Sequence, residues 1–371
     1  MGAITLCLCG DVMLGRGIDQ IMPFPGDPQL YEAYMSSAVS YVVLAEGKNG
    51  PIPRHCPPGY VWGDALAELR RLQPQVRIIN LETAITASAT PVPKGINYKM
   101  APRNAACLKE MAVDCCVLAN NHVLDWGPAG LIETLVTLER EGIPFAGAGR
   151  DLRAAARPAI VSLERQRRVL VFGFGAASSG IPGDWAATEA RPGIALLPDL
   201  SPATAEAIAG RIGGIRRPGD LVVVSIHWGS NWGYHVTERQ RGFAHALIDA
   251  DACDVLHGHS SHHPRAAEIY RDRLILYGCG DFLNDYEGIE GYEEFRGDLT
   301  LAYLPRFSHA NVLEALTLVP FRICRFRLER ADADEAAWLQ AALDRESGRF
   351  GTHIAPGPGG HLTANWPPAR R

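Results

Sequence analysis

The sequence contains no CxxC pair and no long run of basic residues, and its opening apolar stretch is too short to span a bilayer. Each absence narrows the function. Binding to nucleic-acid phosphates needs clustered Lys and Arg, whereas this 371-residue chain carries a net charge of −5 and no such cluster. No nucleic-acid partner is expected. Nine cysteines are present, an odd and scattered set rather than a disulfide framework. Cys7, Cys9, Cys115, Cys116, Cys253 and Cys279 lie in or beside apolar runs, where a free thiol packs as a small hydrophobe. A reducing, cytoplasmic location is therefore expected. The segment "MGAITLCLCGDVMLG" has no positive flank and its apolar run ends at Asp11, so neither a secretory signal nor a membrane anchor is expected there.

What is present is a repeated pattern of short apolar runs that end in polar residues, the mark of buried strands whose C-terminal tips carry chemistry. Residues 3–9 lead to Asp11, 76–79 to Asn80 and Glu82, and 115–118 to Asn121 and His122. Further on, 221–226 lead to His227, 255–256 to the cluster "HGHSSHHP", and 274–277 to Asp281, while 169–174 run into a Gly/Ser loop. Helical patterns fall between them at 64–72, 105–111, 128–141 and 237–250, with one more at 332–343. Strands alternating with helices predict an α/β layered fold. Successive strand patterns at 299–304, 313–319 and 322–328 predict that part of the sheet is antiparallel. Residues 22–63, rich in Pro, Gly and aromatics, are expected to form a lid-like insertion within a main unit spanning 1–330. Residues 331–371 are expected to supply a C-terminal helix and a Pro/Gly-rich tail that packs on this unit and runs over its surface.

In an open α/β sheet, ligands bind beyond the carboxyl ends of the strands. If these runs are neighbours, Asp11, Glu82, Asn121, His122, Asp125, His227, His259 and His262 point into one cleft. Carboxylate and amide oxygens mixed with imidazoles suit one or two divalent ions such as Mn, Mg, Ca, Fe or Zn. Each residue alone has a plain structural alternative. Asp11 fits a helix cap, Glu82 an ion pair, and His227 a core histidine bonded to backbone. His257 suits a supporting role behind the ligands, and His263, placed before a proline, is the weakest ligand of the cluster.

The blocks "GDVMLGR", "NLETAIT", "ANNHVLDWG", "SIHWGSNWG", "HGHSSHHP" and "LYGCGDFLNDYEG" resemble, in order from about residue 4 to 305, those of CapA-type proteins in the calcineurin-like metallophosphoesterase superfamily. The resemblance implies a four-layer α/β/β/α sandwich with mixed sheets and a metal centre at the strand tips. It also implies a link to poly-γ-glutamate capsule synthesis, and some relatives are peptide epimerases. The superfamily's opening D-x-H stands here as Asp11-Val12-Met13, without the histidine. Its second block is represented by Asn80-Leu81-Glu82. The third is matched by Asn121-His122 with Asp125 displaced, the lone-histidine block by His227, and G-H-x-H by Gly258-His259 with His262 one position late. The metal ligands so implied are Asp11, Glu82, Asn121, His227, His259 and His262.

That set lacks one histidine and one aspartate, which bears on the reaction. Two closely spaced ions clamp the attacking and leaving oxygens in hydrolysis, whereas His–carboxylate pairs suit proton transfer near neutral pH. With His122, Asp11, His227, His259 and Asp125 as the acid/base group, the favoured expectation is epimerisation at a peptide Cα. Metal-assisted hydrolysis of an amide or phosphoester, or a role in capsule poly-γ-glutamate synthesis, is the alternative, and a binding module without catalysis the second. For a peptide or poly-glutamyl substrate, Arg16, Lys94, Lys99 and Arg296 are candidate carboxylate holders, with ordinary ion pairs an equal alternative. Trp126 and Trp228, with Trp62 and Trp232, offer either an apolar slot or core. Asn284, with Asp281 and Asp285, is expected by resemblance to line the site, although Asp281 also suits a cap.

Overall fold

A computed structural model describes residues 2–164 and 167–367. The chain is a mixed α/β protein with two large mixed sheets and two short ribbons. From edge to edge the first sheet runs His353–Pro356, Leu362–Asn365, Leu313–Cys324, Leu299–Phe307, β1 (Ile4–Val12), β2 (Val76–Leu81), β3 (Cys115–Val117) and Phe145–Ala146. The second runs Ala267–Tyr270, Arg273–Leu276, the strand Val255–His259, the strand Leu221–His227, Arg168–Gly175 and Ala159–Ser162. We call Leu221–His227 β4 and Val255–His259 β5; β6 (Asp281–Leu283) pairs with the tip of β1.

Side-chain alternation explains how the sheets stack. Ile4, Leu6 and Leu8 of β1 join Val76, Ile78, Cys115 and Val117 in an apolar layer shared with Val169, Val171, Leu221, Val223 and Val255 of the second sheet. Cys7 and Cys9 point the other way, into a layer with helices Val39–Asn49, Gly63–Leu72 and Gly127–Glu141. Val222, Val224 and Leu256 likewise face helices Pro202–Gly213 and Glu238–Asp249. All nine cysteines are buried free thiols, and among the described residues no helix is long and apolar enough to cross a membrane.

Two expectations are corrected. The strand expected over 322–328 is a hairpin: Leu313–Cys324 ends in a turn at Arg325 and Phe326, both at φ 56°, and Arg327–Arg330 returns beside it. Because Phe326 is buried, the apolar pattern runs through the turn and conceals it. The tail expected to run over the surface instead adds a second hairpin to the edge of the first sheet, burying Ile354, Leu362 and Ala364 between the sheets. Residues 368–371 of that tail lie outside the described residues. The stretch 22–63 holds the helix Val39–Asn49, which packs inward through Tyr41, Val42 and Ala45.

Candidate metal centre

Strand register assembles the centre. The first half of β1 pairs with Leu299–Phe307, but past an irregularity its tip lies between β2 and β6, with Asp11 opposite Asn80 on one side and Asp281 on the other. Gly10 permits this close approach, since a Cβ there would sit 1.7 Å from the Gly280 carbonyl oxygen that accepts from the Asp11 N–H. In the second sheet His227 lies opposite His259, and Ser225 opposite His257. The two sheets bring these tips together, and the result is two overlapping ligand triples. Asp11, His227 and His259 form one, and Asp11, Glu82 and Asp281 the other; within each, the candidate ligand atoms lie within 4.8 Å of one another, and all are buried.

The hydrogen-bond network assigns the histidine tautomers. His257 donates its Nε2–H to the Cys9 carbonyl at 3.0 Å, so its Nδ1 is a lone pair that accepts from Ser225 Oγ at 3.0 Å. The Ser225 oxygen then accepts from His259 Nε2–H at 2.9 Å, leaving His259 Nδ1 as a lone pair. His227 donates Nε2–H to Asn121 Oδ1 at 2.9 Å, which leaves its Nδ1 as a lone pair, with the Asn80 amide nitrogen 3.4 Å away. The two Nδ1 atoms face each other at 2.8 Å, and Asp11 Oδ1 stands 3.7 and 3.6 Å from them. Facing lone pairs beside a carboxylate repel unless a cation joins them.

The carboxylates point the same way. Burial, then the neighbouring Asp281, pushes the Asp11 carboxyl up to about 8. Glu82 is pushed up as well, by burial and then by Asp11. Burial holds His227 and His259 below the usual imidazole range. A cation would relieve both the crowded negative charge and the opposed lone pairs. These buried clusters can hold a metal ion; the mixed oxygen and nitrogen donors fit a divalent one.

Above the centre opens a cleft of about 880 Å³, lined among others by Glu82, Lys94, Tyr98, Asn121, His122, His262, Asn284 and Tyr286. His122 stacks on Tyr98 at 3.7 Å and donates Nδ1–H to Asp125 Oδ2 at 2.6 Å, so its Nε2 lone pair stands 4.0 Å from Glu82. Asp125 also takes the Tyr98 N–H and, at 2.7 Å, the Lys94 ammonium. Burial, then the Lys94 charge, lowers His122 to about 4. His262 instead pairs with Asp281 at 3.0 Å; burial opposes its charge, but Asp281 and Asp11 together raise it.

The structure therefore brings Asp11, Glu82, Asn121, His122, Asp125, His227, His259 and His262 together. Asn121 and His262 reach the centre through His227 and Asp281. Among the candidate substrate residues, Lys94 and Asn284 line the cleft, and Asn284 donates to Asp281 at 2.7 Å. Arg16 also borders the cleft, but its guanidinium is committed to Asp285 at 2.5 Å and Glu32 at 2.9 Å. Arg296 lines the cleft as well, but it is held by Asp298 at 2.7 Å. Lys99 lies away from the cleft wall, its ammonium 4.0 Å over the Trp126 ring. Trp126 and Trp228 are corrections: both are buried, with indole N–H groups on the Tyr98 and Tyr277 carbonyls, and belong to the core. Trp62 is core too, whereas Trp232 lines the cleft, stacked on Tyr292 at 4.1 Å. His263 is satisfied by Pro264 and Gly233.

Sequence reasoning left Asp281 out of the ligand set, although its "GD" after an apolar run repeats the signal of Gly10-Asp11. It also left out Ser225, Tyr98 and Tyr286. Nothing local marks these three, because their roles depend on what a distant segment places opposite them.

Residues 5–286 match the family described as bacterial capsule synthesis protein PGA_cap. The chain is 48% identical over 358 residues to the probable polyglutamine synthesis accessory protein of Mycobacterium tuberculosis, covering 96% of this chain and 94% of that one. It is 29% identical to the PGA biosynthesis protein CapA of Bacillus subtilis over 57% of this chain and 55% of that protein. It is 25% identical to the capsule biosynthesis protein CapA of Bacillus anthracis over 85% of this chain and 67% of that protein. With most of its length matched and its metal-type residues at the tips of those blocks, the chain belongs to the CapA-like bacterial capsule synthesis (PGA_cap) family.

Proposed function

We propose that this protein is a metal-dependent enzyme of poly-glutamate synthesis that acts on a glutamyl chain by hydrolysis or transfer at an amide or phosphoryl group. Its fold in this reading is the calcineurin-like four-layer sandwich, with the insertion 22–63 as a lid. The observation that carries the reading is Asp11, shared by two buried ligand triples beneath a cleft of about 880 Å³. Asp11, His227 and His259 would hold one ion, and Asp11, Glu82 and Asp281 a second. When bound, such ions supply Lewis-acid polarisation of a carbonyl or phosphoryl oxygen. Asp281 brings a third carboxylate to the centre, which weakens the depleted-ligand argument for epimerisation. The names of the relatives support the glutamyl substrate.

The chain's own groups then handle protons. Asp125 fixes the His122 proton on Nδ1, so Nε2 faces the cleft as an acceptor, and the stacked Tyr98 ring shields that imidazole from water. Asp281 favours the protonated form of His262 against its burial and places it as a donor on the cleft's other side. This donor–acceptor pair is also the observation that favours a second reading, epimerisation at a glutamyl Cα.

Incubating the manganese-loaded full chain with a γ-linked glutamate oligomer in deuterium oxide, followed by mass spectrometry, tests both. The expected result is shorter oligomers without deuterium at Cα. One deuteron in an intact oligomer selects epimerisation. Bound metal with neither product, and with a γ-glutamyl phosphate that also stays intact, overturns both readings and leaves a binding protein.

A further inference from the structure

The cleft contains a pair of groups that the metal reading does not use. Tyr98 and Tyr286 both line it, and their phenol oxygens lie 2.7 Å apart. Among the described residues, neither hydroxyl has another hydrogen-bond partner. Two phenols carry two protons, and one is consumed between them. The other must point elsewhere, and an uncommitted O–H in a recess needs an acceptor.

Both rings are held firmly. Asp125 accepts the Tyr98 N–H at 2.7 Å, Trp126 donates to the Tyr98 carbonyl at 3.1 Å, and the ring lies flat on His122. The Tyr286 N–H donates to Asn284 Oδ1 at 3.0 Å, and its ring stands edge-on to His262 at 5.3 Å. The Arg16 guanidinium lies 4.6 Å from one ring centroid and 5.7 Å from the other. The pair thus spans the cleft from the His122–Asp125 side to the His262–Asp281 side. Lys94 and His262 line the same cleft.

We infer that Tyr98 and Tyr286 form a substrate-binding phenol pair that donates one hydrogen bond to an anionic oxygen, carboxylate or phosphoryl, of the group lying over the metal centre. The inference deepens the function proposed above and rests on it for the placement of the substrate. Either phenol can supply the outward proton, so each backs up the other. One substitution costs orientation, whereas two remove the donor.

Equilibrium titration of the full chain with inorganic phosphate and with γ-glutamylglutamate, each with and without manganese, tests this. The proteins compared are the parent, Tyr98→Phe, Tyr286→Phe and the double variant, with manganese affinity and thermal midpoint measured alongside. The double variant is expected to lose about tenfold to a hundredfold in affinity for one probe, the loss of one hydrogen bond to a charged acceptor. Each single variant should lose less, and manganese affinity should hold. Loss confined to phosphate names a phosphoryl ligand, and loss confined to the dipeptide a carboxylate. The inference is overturned if the double variant binds both probes like the parent, if the parent binds neither, or if manganese affinity falls in step with probe affinity. A parent that binds a probe through these phenols but takes up no manganese sinks the metal reading and leaves the phenol pair standing.

Discussion

Ser225 touches no candidate metal ligand atom that faces the centre, yet the network makes it decide which nitrogen of His259 is bare. Its hydroxyl donates to His257 Nδ1 at 3.0 Å and accepts from His259 Nε2 at 2.9 Å. Ser225→Ala removes both bonds at a fully buried position and frees His259 to carry its proton on Nδ1, where it would oppose a cation. Both bonds are lost whether or not metal is bound, so what reaches the binding constant is the His259 tautomer preference, one hydrogen bond or about 1 kcal/mol. At about 1.4 kcal/mol per decade, that predicts manganese binding weakened about fivefold. Calorimetric titration of manganese into parent and variant measures it, with Asp11→Asn as the control that removes the ligand shared by both triples. Ser225→Ala binding manganese as tightly as the parent, while Asp11→Asn does not, refutes the relay.

Two further predictions follow from the buried charges. The Asp11 value of about 8 in the fold exceeds its ordinary 3.8, so the metal-free fold binds the extra proton and loses stability as pH rises from about 4 to about 8. Metal binding must displace that proton, so manganese affinity should climb through the same window and level off above it; calorimetry at pH 7 in buffers of different ionisation enthalpy should register proton release, and none would contradict the assignment. Arg16→Met leaves Glu32 and Asp285 buried without their cation, a loss of about 3–5 kcal/mol. Because Glu32 and Tyr41 belong to the insertion 22–63, urea denaturation should show that loss and limited proteolysis should cut the insertion first; a change under about 1 kcal/mol would show that the Arg16 network does not hold it.

Some of this protein is written locally. An apolar run of strand length ending in Asp11, Glu82, His122 or His227 identifies itself, because period and end are set by neighbours in the chain. The capping box of Glu238–Asp249, with Thr237 and Gln240, is likewise contained in a few adjacent residues. Tertiary structure alone decided what stands opposite what. Whether Trp126 and Trp228 face a cleft or a core depends on which way a distant strand or helix turns their rings, and an indole reads the same in both places. The hairpin at Arg325 and Phe326 was concealed because burial, and not local polarity, sets its pattern. The facing His227 and His259 nitrogens and the meeting of Asp11 with Asp281 arise from register between segments up to 270 residues apart. No window of sequence contains a register, because it is fixed only when distant strands pair within a sheet.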